Sequence, residues 1–264
     1  MEIREHILTN NDCYKAGRTI VPKGIMVHST GVAQPDVAVF LRQWDRPGVE
    51  ACAHAFVHQG GVVETLPWNW RGWHAGSPPG GGTSANNTHI SFEILEPAGH
   101  TYRGGEMVDY DVAANQGYFD RLYHNAVLLT ALLCRQYALN PLQPGVVLCH
   151  AEGFRQGIAS NHADVLHWWP RHGVDMDDFR RAIRDRLEEK EEDAVTQEQF
   201  NAMLEEALRQ REQLPPSGWS QAARTWAEGA GIVTGSPDGT KRYRAFATRE
   251  ETVQMLHAVF GQTP

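Results

Sequence analysis

The stretch GIMVHSTG, residues 24–31, is an apolar run that ends in a histidine and a polar loop containing glycine. A short apolar run that is bounded by turn residues predicts a buried β-strand. Similar runs recur along the chain, and helical patterns lie between them. Strands that alternate with helices predict an α/β fold, in which a central mixed β-sheet is flanked by helices.

The remaining elements are predicted from the same two periodicities. Apolar runs predict four more strands, over residues 53–58, 62–66, 89–95 and 146–150. The first two of these flank Gln59-Gly60-Gly61, which is typical of a hairpin turn. Apolar residues that recur every three or four positions predict helices over residues 35–44, 118–137 and 175–187. Asp175 is the expected N-cap of the last helix.

Histidine is unusually frequent: the chain of 264 residues contains 13, and 12 of them precede residue 175. Histidine is the commonest metal ligand and the usual acid or base at neutral pH, so the first two thirds of the chain are expected to hold a site. The formal net charge of −8 argues against nucleic-acid binding. No run approaches the ~20 apolar residues that span a bilayer, so membrane insertion is not expected.

The N-terminal sequence and the cysteines indicate where the protein is made. The first residues are mixed and charged, without the apolar region of a signal peptide. The four cysteines contain no C-x-x-C pair and are too few for a disulfide scaffold in a chain of this length. We therefore expect synthesis and folding in a cytoplasm.

The chain is predicted to divide into three parts. Residues 1–185 contain the strands and form the main domain. Residues 186–216 form a charged helical tether, since 186–213 hold nine acidic and four basic residues and no glycine or proline. Residues 217–264 follow a pair of prolines and form a small helical module.

Two histidines, His28 and His150, stand where predicted strands give way to loops, and ligands of α/β folds collect at such places. Taken singly, each is better explained as a hydrogen-bonded histidine at a strand end. The stretch SNHADVLHWWP, residues 160–170, adds His162, Asp164 and His167. Two strand-end histidines and a loop carboxylate can supply three zinc ligands with an open fourth position, which is the catalytic arrangement.

Two other residues in predicted strands have alternative interpretations. Cys149 is a rival to His150 as a ligand, but neighbouring strand residues face opposite sides, so we expect Cys149 in the core. Glu93 interrupts an otherwise apolar strand. If Glu93 is buried, its pKa rises toward neutrality and suits a general base. If its strand is at the sheet edge, Glu93 faces solvent instead.

A long loop rich in glycine and proline follows Trp73-His74-Ala75-Gly76. Structureless connections of this length are uncommon in compact domains and favour a functional role. Trp68, Trp70 and Trp73 lie just before or at its start, and aromatic side chains on loops commonly stack on sugar or peptide surfaces. One or two of these tryptophans are expected to pack in the core instead.

Six stretches occur in the order found in a known family. From about Gly24 to Ile183 the chain resembles the zinc-dependent N-acetylmuramoyl-L-alanine amidases of the type 2 amidase and peptidoglycan recognition protein superfamily. It looks most like their phage and prophage endolysin branch. The resemblance is carried by GIMVHSTG, AHAFVHQGGVVETLP, WHAG, NNTHISFEILEP, VVLCHAEG and SNHADVLHWWP.

The resemblance implies a zinc enzyme that hydrolyses the amide between the lactyl group of N-acetylmuramic acid and L-alanine of the peptidoglycan stem peptide. It implies that Zn²⁺ is held by His28, His150 and Asp164, with Glu93 as the general base. The family motif continues with Pro-Gly after the third ligand, whereas this chain has Val165-Leu166. His162 is therefore the alternative to Asp164 as third ligand.

The resemblance also implies further roles around the metal. His162 stands where many members have a lysine that stabilises the oxyanion, and His54 stands where several have a tyrosine near the zinc. His162 is expected to assist catalysis, and His54 is expected either to assist as a hydrogen-bond donor or to have no catalytic role. The residues expected to contact substrate are Trp73, His74 and Asn87. An enzyme of this kind is made in the bacterial cytoplasm and acts on the cell wall after release.

The last part of the chain resembles a single surface-layer-homology motif over residues 219–260. Its helices are marked by Trp226-Ala227 and by Thr248 with Glu251, which predicts a capping box. The resemblance implies that residues 217–264 bind a secondary cell-wall polymer, with self-association or capping of the tether as alternatives.

Two other functions compete with an amidase. A non-catalytic peptidoglycan-binding protein would use the same fold, but it would not need the three ligands and Glu93. A metal-dependent nuclease is loosely suggested by His-Ala-Glu and Asn-His-Ala-Asp, but the net charge of −8 disfavours it.

Overall fold

The computed structural model describes residues 1–192, 197–237 and 239–261. Parts of the predicted tether and C-terminal module, at 193–196, 238 and 262–264, lie outside the described residues. Contacts group the chain into two units, Met1–Glu192 and Asp193–Pro264. Within the described residues, no helix is both long and apolar enough to cross a membrane.

A mixed sheet forms the centre of the first unit, as predicted, and it has six strands, of which β1 is not among the five predicted. Its order is β1-β4-β3-β5-β2-β8, and every neighbouring pair is parallel except the β3–β4 hairpin. β6 and β7 form a separate antiparallel pair. The strands are β1 (Ile3–Glu5), β2 (Gly24–Ser29), β3 (Ala55–His58), β4 (Gly61–Glu64), β5 (His89–Ile94), β6 (Thr101–Arg103), β7 (Glu106–Val108) and β8 (Val147–Cys149).

The α-helices of the described residues fall in both units. The first unit contains α1 (Asp12–Lys15), α2 (Val37–Trp44), α3 (Val112–Gln136), α4 (His150–Arg155) and α5 (Met176–Glu192). The second contains α6 (Gln197–Glu212), α7 (Gln221–Gly229) and α8 (Arg249–Phe260). The three helices predicted for the main domain are therefore present, whereas α1 and α4 are not among the predicted elements.

Capping side chains set where several helices begin. Asp175 accepts hydrogen bonds from the amides of Asp177 and Asp178 at 2.8 Å, so it caps α5 as predicted. α3 begins several residues before the prediction, because Asp111 accepts from the Ala114 amide and starts the helix there. The predicted capping box of Thr248 and Glu251 is present at α8.

The main core lies against the sheet and includes one face of α3. Phe119, Trp168, Trp169 and Phe179 are almost fully buried and pack against one another or their aromatic neighbours. Cys149 is also fully buried in this core, as predicted. The predicted last strand, 146–150, is one residue too long at each end, and His150 is instead the first residue of α4. Because β5, β2 and β8 are adjacent and parallel, their carboxyl ends share one edge of the sheet.

Candidate metal centre

Three side chains from separate elements meet at the carboxyl end of the sheet. His28 lies in β2, His150 directly follows β8, and Asp164 begins the 3-10 turn Asp164–His167. One candidate ligand atom from each residue lies within 4.8 Å of the other two. The fold thus brings together the three residues that the sequence nominates as metal ligands.

The ligand atoms of this cluster face one another. The Nδ1 atoms of His28 and His150 are 3.2 Å apart. Asp164 Oδ2 lies 3.1 Å from His150 Nδ1 and 3.6 Å from His28 Nδ1. This oxygen is buried and has no hydrogen-bond partner. A buried, unpartnered carboxylate oxygen is costly unless a cation compensates it, so the cluster has the character of a cation site.

The protonation states of the cluster also suit a metal. Burial lowers the pKa of His28 despite the nearby Asp164, so the ring is neutral at pH 7. Neutral imidazole and ionised carboxylate are the forms that bind metal ions. Asp164 also has a φ of 47°, a left-handed conformation that is uncommon outside glycine.

A chain of hydrogen bonds fixes the tautomer of His28. The Nε2 atom of His74 lies 3.2 Å from the carbonyl oxygen of His89, and a carbonyl only accepts, so this Nε2 carries the proton. The Nδ1 atom of His74 is then an acceptor, 3.1 Å from His28 Nε2. His28 therefore donates through Nε2 and directs the lone pair of Nδ1 into the cluster.

Ser160 fixes the tautomer of His150 in the same way. Its Oγ lies 3.3 Å from the carbonyl oxygen of Ala75, to which it donates, and 3.1 Å from His150 Nε2. Since the hydroxyl proton is used on Ala75, Ser160 accepts from His150 Nε2, and His150 Nδ1 keeps its lone pair. Gly76 has a φ of +62°, and a Cβ there would lie 2.4 Å from Ser160 Oγ. The glycine makes room for this contact.

The donor set fits zinc. Two neutral imidazole nitrogens and one carboxylate oxygen are common zinc ligands, and three protein ligands leave one coordination position open. Both histidines have a hydrogen-bonded second nitrogen, which is usual for metal-ligating histidine. The buried, unpartnered Asp164 Oδ2 is the observation that points most directly to a cation.

Glu93 stands beside this cluster. β2 and β5 pair in parallel with His28 opposite Glu93, so the two side chains project from the same face of the sheet. β5 is an interior strand between β3 and β2, so the alternative that Glu93 lies on an edge strand is wrong. Burial, with the charges of Asp164 and Glu96, raises the pKa of Glu93 well above its ordinary value. Its carboxyl therefore binds a proton more readily than an ordinary carboxyl, which suits an acid–base role.

The structure places the two expected helper histidines differently. His162 is exposed, and its Nδ1 lies 3.1 Å from Ser160 Oγ and 3.4 Å from His150 Nε2. His54 is fully buried. Its Nδ1 accepts from the amide of Ser91 at 3.0 Å, and its Nε2 donates to the carbonyl oxygen of Trp70 at 2.8 Å. Both nitrogens of His54 are therefore engaged within the fold.

The expected substrate-contacting residues are also tied into the fold. Trp73 is partly buried against Cys13, Cys52 and Leu66. His74 supports His28, as described above, rather than standing free. Asn87 accepts from Arg71 Nε at 2.7 Å. The neighbouring tryptophans are partly buried too: Trp70 stacks on Tyr14 and Trp68 packs against the main core.

Glu96 is a buried carboxylate that the sequence reasoning missed. Its Oε1 accepts from Ser29 Oγ at 2.8 Å and lies 3.0 Å from His167 Nε2. Its Oε2 accepts from Tyr102 at 2.7 Å and lies 3.1 Å from His100 Nε2. These bonds, chiefly those of His167 and Tyr102, overcome burial and lower the pKa of Glu96. The available signal was a second carboxylate at the end of the same apolar strand.

Comparison with known proteins relates the site to a family. The model of the N-acetylmuramoyl-L-alanine amidase family (Amidase_2) matches residues 17–169. The crystal structure of Staphylococcus aureus hydrolase AmiA is similar at a TM-score of 0.51 and 21% identity, covering 71% of this chain and 83% of that one. A mutant endolysin from Bacillus subtilis is 24% identical with a TM-score of 0.47, covering 69% of this chain and 99% of that one. No sequence among the curated proteins matches.

Proposed function

The chain belongs to the N-acetylmuramoyl-L-alanine amidase family, and we propose that it hydrolyses the amide between the lactyl group of N-acetylmuramic acid and L-alanine in bacterial peptidoglycan. The observation that carries the proposal is the convergence of the lone pairs of His28, His150 and Asp164 beside Glu93. Such a set suits metal-assisted amide hydrolysis, because it combines a Lewis acid site with a proton-exchanging carboxyl.

The metal is zinc in this proposal, held by His28, His150 and Asp164. Bound zinc supplies Lewis acidity, which makes water more acidic and polarises a carbonyl group. His74 and Ser160 keep the two histidines in the tautomer that presents Nδ1. Asp164 is preferred to His162 as third ligand, because its Oδ2 is buried and unpartnered whereas the His162 ring is exposed.

Glu93 moves the proton. In its ionised form it accepts a proton from the attacking water, and it then gives that proton to the amine of L-alanine as the amide bond breaks. The raised pKa makes the ionised carboxyl of Glu93 a stronger base and lets it hold the proton until the amine of L-alanine takes it.

His162 stabilises the developing oxyanion in this proposal. It lies beside His150 with ring centroids 4.7 Å apart, and its exposure leaves it open to substrate. It can do so by donating from Nε2 or as an imidazolium. We give His54 a supporting role, because neither of its ring nitrogens is available to substrate. The loop over residues 68–87, with Trp73 and Asn87, forms a wall of the substrate groove.

The C-terminal unit is proposed to bind cell-wall polymer. Trp219 is 89 % exposed and Trp226 is 62 % exposed, and exposed tryptophan suits stacking on sugars. In this view the protein is a lytic enzyme of the endolysin type that acts on the wall after release from the cell, and self-association through this unit or the tether is the alternative.

One assay tests the amidase against a non-catalytic peptidoglycan-binding protein. Purified Gram-positive cell walls are incubated with the protein, with and without a chelator. New amino termini of L-alanine without new reducing ends, lost on chelation and restored by zinc, support the amidase. New reducing ends indicate a glycosidase. Sedimentation with the walls without new termini of either kind indicates a binding protein.

A further inference from the structure

Two arginines lie opposite each other on neighbouring segments of the first unit. Thr19 and Trp70 form an isolated antiparallel bridge, and next to it the Arg71 amide donates to the carbonyl oxygen of Arg18 at 2.8 Å. Residues directly opposite in an antiparallel pair project to the same side, with Cβ atoms about 5 Å apart. The side chains of Arg18 and Arg71 therefore leave the backbone on the same side of this pair.

The two positive charges of this pair are not balanced by a carboxylate. Like charges in opposite positions destabilise a strand pair. Among the described residues, neither Arg18 nor Arg71 forms an ion pair. Arg71 Nε donates instead to Asn87 Oδ1 at 2.7 Å, which is a neutral acceptor. Burial lowers the pKa of Arg71 and the charge of Arg18 lowers it further, as expected for two positive groups that repel each other.

Lys23 is a third basic residue in the same region. Its amide donates to the carbonyl oxygen of Thr88 at 2.7 Å, and Thr88 directly follows Asn87, the partner of Arg71. Lys23 and Arg18 are both exposed, whereas Arg71 is partly buried. We call Arg18, Lys23 and Arg71 the basic cluster.

The segments that form the basic cluster contain no acidic residue. Residues 13–35 contain three basic residues and residues 65–92 contain one, although the whole chain has 32 acidic and 24 basic residues. The net charge of −8 therefore lies elsewhere, and the potential around the basic cluster is positive. Such a region attracts anions.

The basic cluster lies further along the sheet from the metal centre. Lys23 directly precedes β2, and His28 is the fifth residue of that strand. At the rise of a β-strand their Cα atoms are about 16 Å apart. Arg71 belongs to the segment whose His74 contacts His28. A ligand that occupies both places must therefore be extended, with the length of a peptide of about five residues.

We propose that the basic cluster binds an anionic group of the cell wall, a carboxylate or a phosphate, while the metal centre holds the amide to be cleaved. Guanidinium groups form paired, charge-assisted hydrogen bonds to the oxygens of such groups. The carboxyl groups of a stem peptide and the phosphates of an anionic wall polymer both offer this chemistry. The assignment of the anion to the wall rests on the proposed function, whereas the anion site itself does not.

Titration of the full-length protein with inorganic sulfate tests the anion site. Isothermal titration at low salt should show binding, and R18Q, K23Q and R71Q should each weaken it by about tenfold, because each removes a charged donor. R71K keeps the charge and should retain most of the affinity. R4Q is the matched control, since Arg4 is exposed on β1, three strands away from β2.

Two results of this titration overturn the proposal. One is a parent protein that does not bind sulfate. The other is equal affinity in the parent protein, R18Q and K23Q. Because Arg18 and Lys23 are exposed, their substitution leaves the fold intact and the result does not depend on R71Q.

Sedimentation with cell walls identifies the source of the anion. E93Q, which should not cleave the walls, is compared with the same protein carrying R18Q and R71Q. The comparison uses intact walls, walls stripped of phosphate polymer with hydrofluoric acid, and walls whose carboxyl groups are converted to amides. We expect the added substitutions to weaken binding to intact walls. If stripping abolishes this difference the anion is a phosphate, and if amidation abolishes it the anion is a carboxylate.

Equal binding of the two variants to intact walls overturns the assignment of the anion to the wall. The sulfate titration does not depend on hydrolysis. A failed amidase assay would therefore leave the anion site standing, and a failed titration would leave the amidase proposal standing.

Discussion

His28 and Glu93 occupy paired positions on the adjacent parallel strands β2 and β5. This pairing sets a candidate metal ligand and a carboxyl of raised pKa side by side on one face of the sheet. Both side chains are positioned by strands and not by loops, because the register of β2 against β5 places them side by side. The catalytic proposal therefore rests in part on two neighbouring strands of the central sheet.

E93Q should abolish most hydrolysis while leaving zinc binding intact. Glutamine keeps the shape of the side chain but can neither accept nor return a proton, so kcat should fall by about 10²–10⁴-fold. Zinc content, measured by mass spectrometry of metals, should match the parent protein, because Glu93 is not in the ligand set. E64Q is the matched control, since Glu64 is a strand glutamate with a pKa raised to about 7 by burial, away from the ligands. Near-normal turnover in E93Q would exclude Glu93 as the base.

H28A, H150A and D164A should each lose bound zinc. Each change removes one of three ligands and leaves the other two unable to hold the ion at micromolar concentration. Isothermal titration of the chelated protein with zinc measures the loss directly. H58A is the control, because His58 lies at the end of β3 and is outside the cluster. A variant that binds zinc as tightly as the parent removes that residue from the ligand set.

H74A should weaken zinc binding although His74 is not a ligand. Alanine removes the acceptor for His28 Nε2, so His28 is no longer held with its Nδ1 lone pair toward the cluster. Loss of such a supporting contact typically costs 10–100-fold in metal affinity, and we expect about that change. A glutamine, which can still accept from His28, should restore part of the affinity. Equal affinity in H74A and the parent protein would contradict this role.

E96Q should loosen the turn that carries Asp164. Glu96 joins Ser29, beside His28, to His167, which closes the Asp164 turn. An amide cannot accept at both positions, so buried donors are left unpaired and the free energy of unfolding should fall by about 2–5 kcal/mol. Zinc affinity should fall as well.

Y110F is the control, because it removes the nearby hydrogen bond from Trp168 to Tyr110 and leaves Glu96 untouched. Unchanged zinc affinity in E96Q would show that the network supports the fold alone.

Five of the eight strands and the candidate ligands could be predicted because each depends on local pattern. The apolar run of β2 ends in His28, and the run of β8 ends directly before His150, so both residues are visible as polar side chains at strand ends. The order of the six sequence stretches indicated the family. Glu93 was visible as a carboxylate in an apolar strand, but only sheet order decided that the strand is interior.

The supporting contacts could not be predicted because they join distant parts of the chain. Ser160 meets His150 and Ala75, and Glu96 meets His167, only once the fold is formed. His54 shows the same limit, since a histidine at a family position gives no sign that the Ser91 amide and the Trp70 carbonyl occupy its nitrogens. β1 was missed because it is a short, largely exposed strand with charged residues.

H54Q should flatten part of the pH dependence of stability in the chelated protein. Burial lowers the pKa of His54 to about 4, against about 6.5 in an unfolded chain. Between these values the unfolded state takes up a proton that the folded state does not, so stability falls as the pH falls. For His54 this amounts to about 2 kcal/mol between pH 7 and pH 5.

Urea unfolding at pH 7 and at pH 5 measures this loss of stability. The difference in free energy of unfolding between the parent protein and H54Q should be about 2 kcal/mol smaller at pH 5 than at pH 7. T65V is the control, because it removes a buried hydrogen bond from Thr65 to Ala53 without removing a titrating group, so its gap should stay constant. A constant gap for H54Q would mean that His54 is protonated to the same extent in both states.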